Sequence, residues 1–106
     1  MDKYKQLEKD LKFAYGEALK AKTGEDGGSA NMDATFLTLK NWRENKVLEA
    51  IKNAGLYCSG KTEWLGKGYM INTGGGQGND RVRVRNKFKE ILDDKGYDVV
   101  GFDKMD

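Results

Sequence analysis

Hydrophobic residues recur at steps of three or four along the first part of the chain, and charged residues fill the positions between them. The hydrophobic positions are Tyr4, Leu7, Leu11, Tyr15 and Ala18 or Leu19. This period is typical of an amphipathic helix, so the sequence predicts a helix over residues 3–22. Glycine and small polar residues then dominate residues 23–30, which predicts a flexible connector.

A short apolar and β-branched segment over residues 33–39 predicts a largely buried strand. A second helix is predicted over residues 41–54. Asn41 is placed to cap its first turn, Glu44 stands at the capping-box position, and Gly55 supplies a left-handed stop.

Two further strands are predicted at residues 56–58 and 64–71, where aromatic and β-branched residues are interrupted by glycine turns. A third helix is predicted over residues 79–95, ending at Gly96. Its start is open, because arginine and valine alternate over residues 81–85 with the period of a strand. Residues 97–102 offer a last strand.

These elements predict a single α+β domain spanning residues 1–106, in which an N-terminal helix precedes a β-α-β-β-α-β core over residues 31–106. That order is the one found in a ferredoxin-like split βαβ sandwich. The predicted helical side of the core consists of Trp42, Leu48, Ile51, Phe88, Ile91 and Leu92. The predicted strand side consists of Phe36, Tyr69, Ile71 and Val99.

Composition narrows the possible chemistry. The 106 residues contain no histidine and one cysteine, Cys58, so the usual general base, a histidine-based triad and an internal disulfide are all excluded. The formal charge of +2 gives no global attraction to nucleic acid or anionic lipid. No apolar run has the length of a signal peptide or a membrane span, and we therefore expect a cytoplasmic protein without membrane contact.

A glycine-rich segment running out of a predicted strand and into a predicted helix is the main candidate site. Glycines let backbone amides point into one concavity, a helix start adds unpaired amides, and arginines supply forked donors, which together favour phosphate binding. The segment completes neither the dinucleotide nor the P-loop pattern, so a flexible connection remains the alternative. The candidate ligand-binding residues here are Thr73, Gly74, Gly75, Gly76, Gln77, Gly78, Asn79, Arg81, Arg83 and Arg85.

Other residues carry weaker hypotheses. Tyr69 is a candidate stacking platform for a base, although aromatic residues in strands are more often core. Asn31 and Asp33, at the mouth of the first strand, are candidates for orienting a ligand, with turn capping as the alternative. The basic run over residues 81–89 is a candidate contact for a nucleic-acid backbone. We expect no catalytic residue, metal or cofactor.

Four motifs carry a resemblance: Gly28-Ser-Ala-Asn31-Met-Asp33, Gly76-Gln77-Gly78 followed by Arg81, Gly96-Tyr97-Asp98 and Met105-Asp106. Through them, residues 27–106 resemble a group of small proteins of bacteriophages and other mobile elements. The resemblance implies no activity or site residue. It implies a context in which small accessory proteins act in the host cytoplasm by binding defence components, either proteins or nucleotide second messengers.

The leading hypothesis is therefore a non-enzymatic, phage-type accessory protein that inhibits a host defence system by binding. Its partner would be a phosphate-bearing nucleotide signal or a host defence protein, as for a nucleotide sponge or an anti-CRISPR protein. The alternatives are a nucleic-acid-binding domain of a mobile element and an enzyme that uses a carboxylate or tyrosine as acid and base.

Overall fold

The structure is a computed structural model that describes residues 2–20, 34–64, 66–72 and 78–102, without the side chains of residues 78–82 and 102. The described residues form three helices and four strands, in the order of helices and strands that the sequence predicts. They are α1 (Lys3–Leu19), β1 (Ala34–Thr38), α2 (Glu44–Asn53), β2 (Lys61–Glu63), β3 (Lys67–Ile71), α3 (Gly78–Asp94) and β4 (Asp98–Phe102). The predicted connector over residues 23–30 lies outside the described residues.

The four strands form one sheet in the order β2-β3-β1-β4, and every neighbouring pair is antiparallel. It follows that β1 and β2 run in the same direction with β3 between them, while β3 and β4 run in the same direction with β1 between them. A helix connects the two strands of each parallel pair. The fold is thus α+β with two interleaved βαβ units, which confirms the predicted class and element order.

One face of the sheet packs against the helices and forms the core. Leu37 of β1 lies opposite both Tyr69 of β3 and Val99 of β4, and all three side chains are buried. Because successive strand residues point to opposite faces, Thr35 and Ile71 belong to the same helix-facing layer. Phe36 points to the other face, where its ring meets Trp64 edge-on at 5.4 Å between ring centres.

Helix α1 docks on its own domain, against both α2 and α3. Leu7, Leu11, Ala14 and Ala18, spaced by three or four residues, are fully buried and belong to the main core cluster. The buried carboxylate of Asp10 adds a polar connection by accepting a 2.6 Å hydrogen bond from the Tyr97 hydroxyl, just after α3. Hydrophobic burial and this hydrogen bond together fix the helix on the domain.

Glycine ends both core helices, as the sequence predicts. Gly55 after α2 has a φ of 86° and Gly96 after α3 has a φ of 93°, a region that favours glycine. In each case the following backbone N–H donates to a carbonyl five residues earlier, Leu56 to Ile51 and Tyr97 to Leu92, both at 3.1 Å. These bonds satisfy carbonyls that the helix end would leave unpaired.

The predicted start of α2 is wrong by three residues. Asn41 does not cap the helix, because it takes a left-handed conformation with a φ of 66°, and Arg43 is the residue that precedes the first turn. The Glu44 carboxylate accepts from the backbone N–H of Lys61 at 3.2 Å instead of completing a capping box. Long-range contacts to α1 and β2 therefore set this boundary, not a local cap.

The predicted core positions on the helices are partly wrong. Trp42, Leu48 and Ile91 are only partly buried, whereas Val47 and Ala50 are buried beside Ile51. The three partly buried residues pack against the edge of the core, and α1 contacts α2 as well as α3.

The strand prediction at residues 56–58 is also wrong. Tyr57 makes only an isolated bridge to Asn72, and the second strand is β2, which lies at the edge of the sheet with all three residues exposed. Trp64 precedes the hairpin turn and β3 begins at Lys67. An edge strand exposed on both faces has no hydrophobic alternation, which is why the pattern missed it. None of the described helices is long and apolar enough to cross a membrane.

Candidate functional site

The topology brings several of the predicted site segments to one end of the sheet. Thr35, near the start of β1, lies opposite Ile71 at the end of β3 and Gly101 near the end of β4. The chain reaches β1 from residues 31–33 and leaves β3 toward residues 73–77, so both segments join the sheet at this end. We call this region, defined by Thr35, Ile71 and Gly101, the loop end of the sheet.

The structure describes part of the predicted anion site. Asn31, Asp33, Thr73, Gly74, Gly75, Gly76 and Gln77 lie outside the described residues. Gly78, Asn79 and Arg81 belong to the first turns of α3, where the backbone alone is described. The structure settles the open question over residues 81–85, since all five are helical. Cradling of an anion by the glycine-rich segment stays a prediction.

Among the predicted site residues whose side chains the structure describes, Arg85 is buried at the loop end. It is 6% exposed, although arginine is rarely buried unless its charge is compensated. Its guanidinium lies on the backbone of β4, where a Cβ added to Gly101 would come within 2.7 Å of Nη1. Its Nε donates a 2.8 Å hydrogen bond to Oδ1 of Asn86. Glycine at position 101 therefore makes the space for this cation, which larger residues would fill.

Next to this arginine lies a buried hydroxyl. Thr35 is fully buried, and its Oγ1 has no hydrogen-bond partner within the described structure. Since Thr35 pairs with Gly101 in register, the hydroxyl and the guanidinium share the helix-facing layer at the loop end. A buried hydroxyl without a partner costs about 1–3 kcal/mol, so a ligand that accepts a hydrogen bond from it would recover part of that cost. Both groups can donate hydrogen bonds to an anion.

Sequence reasoning missed Thr35 and Gly101. The sequence did contain a signal for Gly101. An isolated glycine inside an apolar strand marks a position where another group approaches the backbone closely. Nothing in the sequence marked Thr35, since a threonine in a strand is ordinary and its lack of a partner depends on the three-dimensional surroundings.

Tyr69 is not available as a stacking platform, which corrects that hypothesis. Its side chain is fully buried under the helices, and its hydroxyl has no hydrogen-bond partner in the described part of the chain. Burial, with a smaller contribution from the Glu44 carboxylate, raises the pKa of Tyr69 to about 12. Among the large exposed aromatic residues are Tyr57, which is bridged to Asn72 directly after Ile71 at the loop end, and Trp64, which precedes the hairpin turn before β3.

The described side chains of the basic run on α3 are divided between buried and exposed positions. Arg85 is buried, Arg83 is half-buried, and the Lys87 ammonium lies 3.7 Å from the Glu90 carboxylate. A nucleic-acid backbone needs several accessible cations along one track, so this arrangement disfavours the nucleic-acid hypothesis.

Cys58 is half-buried, and its Sγ lies 3.5 Å from the carbonyl oxygen of Gly60, to which it donates a weak hydrogen bond. Burial raises the pKa of its thiol, which lowers the thiolate fraction and its reactivity. Within the described ranges, no cluster of three or more histidine, cysteine, aspartate or glutamate residues could hold a metal ion.

No protein-family model matches the chain, and neither curated proteins nor solved structures provide a match.

Proposed function

We propose that the protein is a non-enzymatic binding protein that holds a phosphate-bearing ligand at the loop end of the sheet. The observation that carries this proposal is the buried guanidinium of Arg85 beside the unpartnered hydroxyl of Thr35. A cation held in a protected position is an anchor for an anion, because the surrounding low dielectric strengthens their attraction.

In this proposal the glycine-rich segment over residues 73–78 supplies further contacts to the ligand. Residues 73–77 connect β3 to α3, and the first turns of α3 carry unpaired backbone amides and Arg81. Helix starts and glycine-rich turns are suited to phosphate because their N–H groups converge. In this proposal Arg85 supplies the fixed charge, and the amides of residues 74–78 supply orientation.

The biological setting comes from the resemblance to small proteins of bacteriophages and other mobile elements. We therefore extend the proposal to a phage-type accessory protein that inhibits a host defence system in the host cytoplasm. A nucleotide signal suits the loop end better than a defence protein does, because the anchoring groups are recessed rather than displayed on a broad surface. Sequestering such a signal needs no catalytic group.

Mass spectrometry of the purified protein tests the ligand class. The protein would be produced in cells with an active nucleotide-signalling defence system and in matched cells without one, then denatured to release any bound small molecule. We expect a nucleotide at a near-stoichiometric ratio in the first preparation alone. A co-purifying defence protein without any nucleotide would overturn the nucleotide version of the proposal.

A double variant tests the site. Arg81→Ala combined with Gly76→Val should abolish capture of that nucleotide, because valine disfavours positive φ and fills space that an anion needs. Each change alone should weaken binding by about 1–3 kcal/mol if the lost contact is charge-assisted. Lys5→Ala on α1 is the control and should bind normally. Normal capture by the double variant would exclude the glycine-rich segment as a contact.

A further inference from the structure

A cavity of about 430 Å³ lies at the end of the sheet opposite the loop end. Its walls include Thr38 at the end of β1, Lys67 at the start of β3 and Asp98 at the start of β4. The volume is within the range of about 300–1,000 Å³ that is typical of small-molecule sites. We call it the lysine cavity, because Lys40 and Lys61 join Lys67 in its lining.

The charges around the lysine cavity are unbalanced. Among the described lining residues, three are lysines and one, Asp98, carries a carboxylate. Within the described structure, none of the three ammonium groups lies within 4 Å of a carboxylate oxygen. Glu44 and Glu63 lie on the neighbouring surface beside Lys61 and Lys67, but the contact of Glu44 is with the backbone N–H of Lys61. The cavity therefore concentrates cations that are not neutralised by ion pairs.

Two left-handed turns of the backbone shape the lysine cavity, and uncharged side chains add hydrogen-bond donors to it. Asn41 turns the chain between β1 and α2 in a left-handed conformation with a φ of 66°, and Gly66 does the same before β3 with a φ of 81°. In the described part of the chain, the Thr38 hydroxyl and the Asn41 amide make no side-chain hydrogen bond. Both can therefore donate to a bound anion. Left-handed non-glycine residues often occur where a binding site imposes the conformation.

We propose that the lysine cavity binds the di- or triphosphate group of a small molecule. Three ammonium groups match the multiple negative charges of such a group, and lysine binds phosphate as a flexible point charge. A carboxylate ligand fits less well, since bidentate recognition of carboxylates uses arginine and the described lining of the cavity contains no arginine. This second site is independent of the proposed function, because it lies at the other end of the sheet and uses none of the same residues.

Calorimetric titration of inorganic pyrophosphate and tripolyphosphate into the full chain tests the proposal. The test variant combines Lys40→Gln, Lys61→Gln and Lys67→Gln. The control combines Lys9→Gln, Lys12→Gln and Lys89→Gln, which removes the same charge from other surfaces. We expect the test variant to bind roughly tenfold more weakly than the wild type at moderate salt, and the control to change less than about twofold.

A variant that should bind more tightly than the wild type provides a second test. Asp98→Asn removes the one carboxylate of the described cavity lining, so it should bind pyrophosphate more tightly than the wild type. Equal weakening in the test and control variants would overturn the proposal in favour of general electrostatic attraction. Tighter binding of citrate than of tripolyphosphate would overturn the assignment to phosphate. Absence of binding by the wild type would overturn the site itself. None of these outcomes bears on ligand capture at the loop end.

Discussion

At the residue scale, the phenol of Tyr69 makes a sharp prediction about stability. Its ring fills the core, but its buried hydroxyl has no partner among the described residues. Tyr69→Phe keeps the ring and removes the unsatisfied group, so it should stabilise the fold by about 1 kcal/mol at neutral pH. Urea unfolding measures this change. Tyr57→Phe, at a side chain that is 67% exposed, is the control and should leave stability unchanged.

The same residue should make the fold sensitive to alkali. Burial raises the pKa of Tyr69 from 10.0 to about 12, so the folded state favours the protonated phenol. The part of the stability that requires a protonated Tyr69 phenol is fully present below pH 10 and is lost as the pH rises toward 12. Tyr97 acts in the same direction, because burial and the hydrogen bond to Asp10 raise its pKa. Tyr69→Phe should therefore flatten the decline above pH 10, and an unchanged slope would contradict the burial of the phenol.

At the element scale, α1 should contribute to stability as part of the core. Leu11 is fully buried between this helix and the rest of the domain, whereas Phe13 on the same helix is 54% exposed. Leu11→Ala should lower the free energy of unfolding by about 2–5 kcal/mol, as expected for a buried leucine. Phe13→Ala, measured by the same chemical denaturation, should have a much smaller effect. Similar losses for the two variants would show that α1 is docked in another orientation.

Helix α2 offers a comparison between neighbouring positions. Ile51 is 1% exposed, whereas Leu48 is only partly buried. Ile51→Ala should cost about 2–5 kcal/mol, and Leu48→Ala should cost about half as much because part of its surface is already in water. Thermal unfolding of both variants at one protein concentration gives the ratio. A larger loss of stability for Leu48→Ala than for Ile51→Ala would indicate that the buried face of α2 is the one that the sequence pattern predicts.

At the scale of the whole molecule, element order was predictable from sequence because periodicity and glycine stops are local properties. The helix ends at Gly55 and Gly96 follow from residue type alone. The buried face of α2 was not predictable, because it depends on which elements pack against the helix in three dimensions. The burial of Arg85 was not predictable either, because it requires the register that places Gly101 beneath it. Long-range pairing therefore determined the parts of the candidate site that local patterns could not reveal.

Because α1 packs on the domain, cleavage of the chain between α1 and β1 should leave the two fragments associated. The glycine-rich composition of residues 23–29 predicts that a protease cuts there first. Because the buried side chains of α1 and the Asp10–Tyr97 hydrogen bond hold the helix on the domain, the two fragments should co-elute in gel filtration and separate in denaturant. Immediate separation in native buffer would show that covalent connection, and not packing, keeps α1 in place.

The central claim, that the loop end holds a phosphate-bearing ligand, depends on Thr35 and Arg85. The most direct measurement is calorimetric titration of cyclic dinucleotides and nucleoside triphosphates into the wild type and Thr35→Val, paired with urea unfolding of both proteins. Valine keeps the shape of threonine and removes the unpartnered hydroxyl, so the variant should be as stable or more stable by about 1 kcal/mol. We predict that it binds the nucleotide at least about tenfold more weakly, as for a lost charge-assisted contact. Equal affinity in the two proteins, or no binding of any of these nucleotides by the wild type, would contradict the account.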